Sequence, residues 1–117
     1  MIKLELLVNE NKVDEIKRLL REIGIKKINI SSTKEYDEDN IHIEGYRGAT
    51  YTVDFTPKIK IEILLDSMDT IDRTLYILSI ADIDADVLVY EVMKSYHLSK
   101  RVAQDYSFSF GDKYRNV

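Results

Sequence analysis

The first third of the chain shows two hydrophobic periodicities, one after the other. Residues Ile2 to Val8 alternate apolar and polar side chains, which predicts a strand. Apolar residues then recur at helical spacing as far as Ile23, which predicts a helix with its N-cap at Asn11. Gly24 follows where helices commonly end in a left-handed residue. The segment from Ile25 to Tyr36 predicts a second strand.

The pattern changes at residue 37. Asp37 to Gly45 is acidic, polar and without a clear period, so we predict a solvated loop there. Tyr51 to Leu65 is typical of strand structure, with the chain's only proline, Pro57, as an interruption. After Pro57, isoleucines alternate with charged residues, which is a strong strand signal.

A second helix and a fourth strand complete the pattern. Asp66 or Ser67 is placed to cap the helix, and Val87 to Val92 predicts the strand. The buried face of this helix is predicted to comprise Met68, Ile71, Leu75 and Leu78. The order β-α-β, loop, β-α-β indicates an α+β, ferredoxin-like sandwich, in which a four-stranded antiparallel sheet carries two helices on one face. Fold by itself assigns no function.

Composition narrows the class of protein. A chain of 117 residues with 44% hydrophobic and 32% charged residues fits one soluble globular domain, residues 1–117. It has no stretch of roughly 18 apolar residues, so we expect no membrane insertion. Its net charge of −4 argues against a nucleic-acid partner. Cysteine is absent, and the N-terminus reads as a strand rather than a signal peptide, so we expect a cytoplasmic protein.

One run of residues resembles a known family. Tyr46 to Glu62 reads Y-R-G-A-T-Y-T-V-D-F-T-P-K-I-K-I-E and fills every fixed place of the pattern Y-R-G-A-x-Y-x-V-D-F-x-P-K-x-K-I-E. That pattern belongs to PII signal transduction proteins, at the exit of their large mobile loop. The resemblance covers Ile2 to Val92. It implies a homotrimeric regulator, not an enzyme, with nucleotide clefts between subunits and a loop that docks onto a transporter or a metabolic enzyme.

The resemblance also implies candidate site residues. Lys58 matches a lysine near the phosphate and effector region, Glu62 a carboxylate on the adenine side, and Leu64 an apolar cleft wall. The nucleotide-binding set that we predict comprises Leu7, Lys58, Glu62, Leu64, Lys100 and Arg101. The last two are substitutes for a pair of family arginines, whose positions fall near His97 and Ser99, and they require a shift in the register of the tail. Lys58 and Glu62 are equally typical of an exposed strand face, so this alternative stays open.

The loop of about residues 37–52 is the implied docking loop. Its candidate contact residues are Tyr36, Asp37, Glu38, Asp39, Tyr46, Arg47 and Tyr51. Tyr51 matches the tyrosine that some family members modify with a nucleotidyl group, and its alternative role is to cover apolar surface at the loop base. Glu38 and Asp39 replace an arginine and a glutamine of the family, and the glutamine helps to hold magnesium and 2-oxoglutarate. We therefore expect no 2-oxoglutarate sensing of that kind.

The family's phosphate loop is shortened here. The family pattern T-G-x-x-G-D-G-K/R wraps phosphates with backbone amides, whereas residues 79–86 contain no glycine and no basic residue. Asp82, Asp84 and Asp86 would repel a triphosphate. No cofactor is required by this sequence, and ATP or ADP is a candidate effector in an altered mode.

Two further possibilities follow from the residues. The acidic segments could ligate a hard cation, so the alternative function is a nucleotide-independent trimer that binds a metal ion or a small molecule. The extension of about residues 93–117 contains Tyr106, Phe108 and Phe110 alternating with serines. We predict that these aromatic residues pack across a subunit cleft or extend the sheet; a disordered terminus is the alternative.

Overall fold

Four strands form one antiparallel sheet in the computed structural model, which describes residues 1–40, 42–46, 49–53 and 55–99. The strands of this sheet, in the order β2-β5-β1-β6, are β1 Ile2–Val8, β2 Asn29–Tyr36, β5 Phe55–Leu65 and β6 Ala85–Glu91. Two helices connect them, α1 Val13–Ile23 and α2 Met68–Ile80. A separate hairpin consists of β3 His42–Tyr46 and β4 Ala49–Val53. The prediction of a ferredoxin-like α+β fold is confirmed.

The core lies between the helices and one face of the sheet. Alternate residues of β1 point into it, and register places Leu4, Leu6 and Val8 opposite Ile63, Ile61 and Ile59 of β5. From the helices, the buried residues are Ile16, Leu19, Leu20, Ile71, Thr74 and Leu78. Because strand side chains alternate between faces, the same register directs the charged residues of β1 and β5 to the opposite face.

Both helices end in the same hydrogen-bonded motif. After α1, the Ile25 amide donates to the Leu20 carbonyl at 2.9 Å, and Gly24 adopts a φ of +99°. After α2, the Ile83 amide donates to the Leu78 carbonyl at 3.1 Å, and Asp82 holds the left-handed position with a φ of 58°. This is a Schellman cap in each case, with glycine in one and aspartate in the other.

Several sequence-based boundaries need correction. The second strand begins at Asn29 rather than Ile25, because the Ile25 amide is used in closing α1. Asn11 is not an N-cap, since it lies inside a short 3-10 turn, Glu10–Lys12, that precedes α1. Ser67, in contrast, does cap α2, where its hydroxyl accepts from the Thr70 amide at 3.4 Å.

The buried face of α2 differs from the predicted set at two positions. Met68 is exposed at the first turn, whereas Thr74 is fully buried. Thr74 tolerates burial because its hydroxyl donates to the Thr70 carbonyl at 2.7 Å, which satisfies its polar atom within the helix. Ile71 and Leu78 are buried as predicted.

The predicted solvated loop over residues 37–45 is only partly a loop. Glu38–Asn40 forms a 3-10 turn, and β3 begins at His42 and pairs with β4 in antiparallel register. The sequence prediction missed this strand because residues 37–45 lack the alternation of apolar and polar residues from which strands are predicted.

Pro57 does not interrupt its strand. It lies within β5 opposite Lys34 of β2, while β1 pairs with β5 only from Ile59 onward. Because β1 does not reach Pro57, the absence of an N–H group on proline removes no hydrogen bond between β5 and β1.

Replacing Asp82 by glycine is expected to stabilise the fold. Glycine adopts a positive φ without the steric cost that a side chain meets, and the change removes a negative charge from the C-terminal end of α2. We expect a gain of about 1 kcal/mol, or roughly 4 °C in Tm, measured by thermal unfolding.

Asp84→Gly is the matched control, because it removes the same charge from the same connection without a positive φ to relieve. It should leave Tm unchanged or lower it. An equal gain in both variants would show that charge, and not backbone conformation, limits stability here.

Candidate functional site

The predicted cleft residues lie on the face of the sheet opposite the helices, here called the open face. Leu7 of β1 and Lys58, Glu62 and Leu64 of β5 all have the strand parity of this face. Leu64 is 54% exposed, and the other three are partly buried. The register of β1 and β5 therefore brings these four residues, which the resemblance implied one by one, onto one surface.

Glu62 is held by a lysine that the sequence analysis did not identify. Lys3 of β1 forms an ion pair with the Glu62 carboxylate across the strand pair. The hydrogen bond from Lys3 lowers the pKa of Glu62 below its usual value, and the same bond raises the pKa of Lys3. The Lys3 ammonium also lies 5.5 Å from the ring centroid of Tyr90 on β6. Glu62 is thus a fixed carboxylate whose orientation is set by its neighbours.

A second charge pair follows the same pattern. The Lys60 ammonium lies 3.9 Å from the Glu5 carboxylate, again between β5 and β1. The signal for both pairs was present in the sequence as Lys-x-Glu in β1 and again in β5. Only the antiparallel register determines which lysine meets which glutamate.

Lys58 lies at the other end of the strand and has its own partner. Its ammonium donates to the Asn9 side-chain oxygen at 2.9 Å, just beyond the end of β1. Leu64 lies six positions after Lys58, which amounts to about 20 Å along a strand. Within one subunit, the four residues therefore form a row along the open face rather than a compact pocket.

Leu64 borders a cavity with two further cations. Lys26 and Lys27, which follow α1, line this depression of 370 Å³ together with Leu64 and Asp66. Sequence reasoning missed both lysines because they lie in the connection before β2, where no motif marks them. These two lysines place positive charge near Leu64, at the end of the row where the resemblance implies that the adenine binds.

The connection over residues 79–86, which the sequence analysis compared with the family's phosphate loop, caps α2. Its amides at Asp82 and Ile83 donate to the Ser79 and Leu78 carbonyls, both at 3.1 Å. These two N–H groups are committed to the end of α2 and do not face outward to a phosphate. Asp86 lies in β6 opposite Leu7, so it adds a carboxylate to the open face beside a predicted cleft residue.

The predicted docking loop starts from an exposed aromatic pair. Tyr36 ends β2 and Phe55 begins β5; their ring centroids lie 6.0 Å apart, and both are more than half exposed. The Asp37 carboxylate accepts from the Asp39 amide at 3.0 Å, which fixes the first turn of the loop. Glu38 and Asp39 are exposed.

The remaining predicted docking residues lie either in the hairpin or outside the residues that the structure describes. Tyr46 pairs with Ala49, and Tyr51 pairs with Glu44, between β3 and β4. Arg47, Lys100 and Arg101 lie outside the described residues, as do the tail aromatics Tyr106, Phe108 and Phe110.

Two features of the described residues bear on the metal-binding alternative and on membrane insertion. In the part of the chain with described side chains, no three His, Asp or Glu residues come together as metal ligands would. None of the described helices has the length and apolarity required to cross a membrane.

Removing the Lys3 ammonium should raise the pKa of Glu62. In Lys3→Met we expect this pKa to return toward the usual glutamate value, because its largest lowering influence is lost. In the native protein the pair's contribution to stability is present above the ordinary glutamate pKa and lost as pH falls through the lowered one. NMR titration of the Glu62 carboxyl carbon measures the shift.

Lys12→Met serves as the control for this titration, since Lys12 faces Glu15 at 3.7 Å on another part of the surface. This control substitution should leave the pKa of Glu62 unchanged. A Glu62 titration that is identical in Lys3→Met and the native chain would contradict the ion pair.

Comparison with known proteins finds several relatives that share the name nitrogen regulatory protein P-II. No protein-family model matches the chain. The nitrogen regulatory protein P-II of Azospirillum brasilense is 44% identical over 66 residues, covering 56% of this chain and 59% of the relative. That of Bradyrhizobium diazoefficiens is 40% identical over 75 residues, covering 64% of this chain and 66% of the relative. In these relatives the match spans less than two thirds of their length.

A longer match extends over most of the chain. The nitrogen regulatory protein P-II 1 of Escherichia coli (strain K12) is 34% identical over 100 residues, which cover 80% of this chain and 88% of the relative. Identity at this level over most of both chains, on the ferredoxin-like fold described above, confirms the family that the Tyr46 to Glu62 run indicated. These relatives are named as regulatory proteins, in agreement with the prediction that the chain is not an enzyme. The chain belongs to the P-II family of nitrogen regulatory proteins.

Proposed function

We propose that this protein is a trimeric regulator in nitrogen metabolism. It controls a partner, either a transporter or a metabolic enzyme, by docking the loop of residues 37–52. Family membership supports the regulatory role, and the names of the relatives supply the link to nitrogen. The fold supplies a rigid sheet from which the hairpin of β3 and β4 extends as a separate two-stranded unit.

The uncovered open face is the observation that supports assembly. Leu64, Leu88 and Tyr90 are 54%, 54% and 42% exposed on this face, around the Lys3–Glu62 ion pair. A sheet with helices on one side only leaves the apolar residues of its other face, which here lie among charged ones, to be buried by something else. Other copies of the chain provide that second layer in the proposed trimer.

The loop base supports docking. Tyr36 and Phe55 present two exposed rings at the point where the chain leaves the sheet. Aromatic side chains bury a large area at a small entropic cost, which makes them effective anchors in interfaces. The neighbouring carboxylates of Asp37, Glu38 and Asp39 favour a partner surface that is basic where it meets the loop.

An adenine nucleotide is the proposed effector, bound in an altered mode between subunits. Glu62 and Leu64 would meet the base, with Lys58 from the far end of the row completing the site from a neighbouring subunit. Capping of α2 uses the Asp82 and Ile83 amides, and Asp86 adds a negative charge, so binding should weaken as the number of phosphates increases. The tail cations Lys100 and Arg101 are proposed to offset part of this repulsion.

Native mass spectrometry tests the assembly. We expect the native chain to be a trimer, and Leu88→Glu to shift it to monomer, since register places residue 88 opposite Glu5 and two neighbouring carboxylates are costly to bury. Tyr76→Glu is the matched control, because Tyr76 is 65% exposed on α2, away from the sheet's open face. A monomeric native chain, or equal dissociation of both variants, would contradict an interface built on the open face.

Isothermal titration with AMP, ADP and ATP tests the effector. We expect ATP to bind most weakly of the three, and Asp86→Asn to tighten ATP by about fivefold through loss of one like charge. Asp14→Asn is the control, because the Asp14 side chain is fully exposed on α1. Absence of heat with all three nucleotides would make the protein a nucleotide-independent adaptor.

A further inference from the structure

The two edges of the central sheet differ in chemistry. β2, at one edge, carries Ser31, Ser32, Thr33, Lys34 and Glu35 in succession, which suits an edge in contact with water. β6, at the other edge, carries Val87, Leu88, Val89 and Tyr90 in succession, and each of these is 39% to 54% exposed. Apolar residues on both faces of an edge strand are typical of a strand that has a neighbour.

The direction of the β6 amides follows from one hydrogen bond. The Val92 amide donates to the Met1 carbonyl at 3.0 Å, and register pairs these residues in continuation of β1 and β6. Antiparallel pairs alternate between bonded and non-bonded positions, so the amides of Leu88 and Tyr90 also face β1. Those of Val87 and Val89 therefore face outward, where no described strand pairs with them.

We propose that residues 104–110 of this same chain add to β6 as a fifth, antiparallel strand of the sheet. Tyr106, Phe108 and Phe110 alternate with Ser107 and Ser109, which is the period of a strand with one apolar face. The segment has seven residues, the same number as β6. The match in length allows it to cover the whole edge.

Chain geometry favours this occupant over a separate one. The chain leaves β6 at Glu91, so a segment that folds back over β6 runs antiparallel to it without a crossover connection. Residues 92–103 are available as the connection, twelve in number, and an antiparallel return requires only a few. Covalent attachment also gives the segment a high local concentration at this edge.

The side-chain chemistry is complementary as well. Pairs of an aromatic residue with a β-branched or aromatic residue across neighbouring strands are among the favourable contacts in sheets. Val87 and Val89 on one face and Leu88 and Tyr90 on the other offer such partners in either orientation of the added strand. The serines leave the opposite face of the added strand polar. Assembly through the open face does not require this strand, so the two proposals can fail separately.

Amide hydrogen exchange of the full chain, resolved by residue with NMR, tests the proposal. We expect the outward amides of Val87 and Val89 to be protected, and Tyr106→Ser/Phe108→Ser/Phe110→Ser to accelerate their exchange by at least about tenfold. The inward amides of Leu88 and Tyr90 serve as internal references and should change much less. Tyr114→Ser is the matched control, since it removes a tail aromatic outside the alternating segment, and it should leave all four rates unchanged.

Three outcomes would overturn the proposal. Fast exchange of Val87 and Val89 in the native chain would show that nothing pairs with the edge. Protection that survives the triple serine variant would assign the edge to a second copy or to another segment. Equal acceleration at Leu88 and Tyr90 would indicate general loosening of β6. Native mass spectra of the same variant report the trimer independently, so a failure here is distinguishable from a failure of the assembly.

Discussion

The pairing of β1 with β5 is the interaction on which the rest of the structure depends. β1 lies inside the sheet, with β5 on one side and β6 on the other, and its alternate residues Leu4, Leu6 and Val8 are almost completely buried. A slip of one residue would exchange this apolar set with the charged set on the other face. Burial therefore fixes the register, and the register fixes the position of every residue on the open face.

The candidate site is a consequence of that register. Lys3 meets Glu62, and Glu5 lies near Lys60, because the core residues between them can pack in only one alignment. These pairs are partly exposed, so their importance lies in orientation more than in stability. A carboxylate held by a lysine and bordered by Leu64 is a preorganised contact for a ligand or a neighbouring subunit.

The connection between α2 and β6 shows how the composition of a loop decides what its backbone amides can bind. A glycine-rich loop can turn several backbone amides toward a phosphate, whereas here the amides of Asp82 and Ile83 close the helix. The fold forms its second helix and fourth central strand around a connection whose Asp82 and Ile83 amides are already hydrogen-bonded within the chain. The scaffold and the phosphate chemistry are thus separable, because the core does not depend on the composition of the loop.

The sequence by itself determined the fold class and the types of the elements that build the central sheet and its two helices, since periodicity is local and each period has one structural reading. The run from Tyr46 to Glu62 determined the family. Only the tertiary structure decided the Lys3–Glu62 pair, the cavity beside Lys26 and Lys27, and the hairpin of β3 and β4. These features depend on register and chain reversal, which join residues far apart in sequence and leave no local period. The positive φ of Asp82 was likewise not predictable from the sequence, because it depends on where α2 ends.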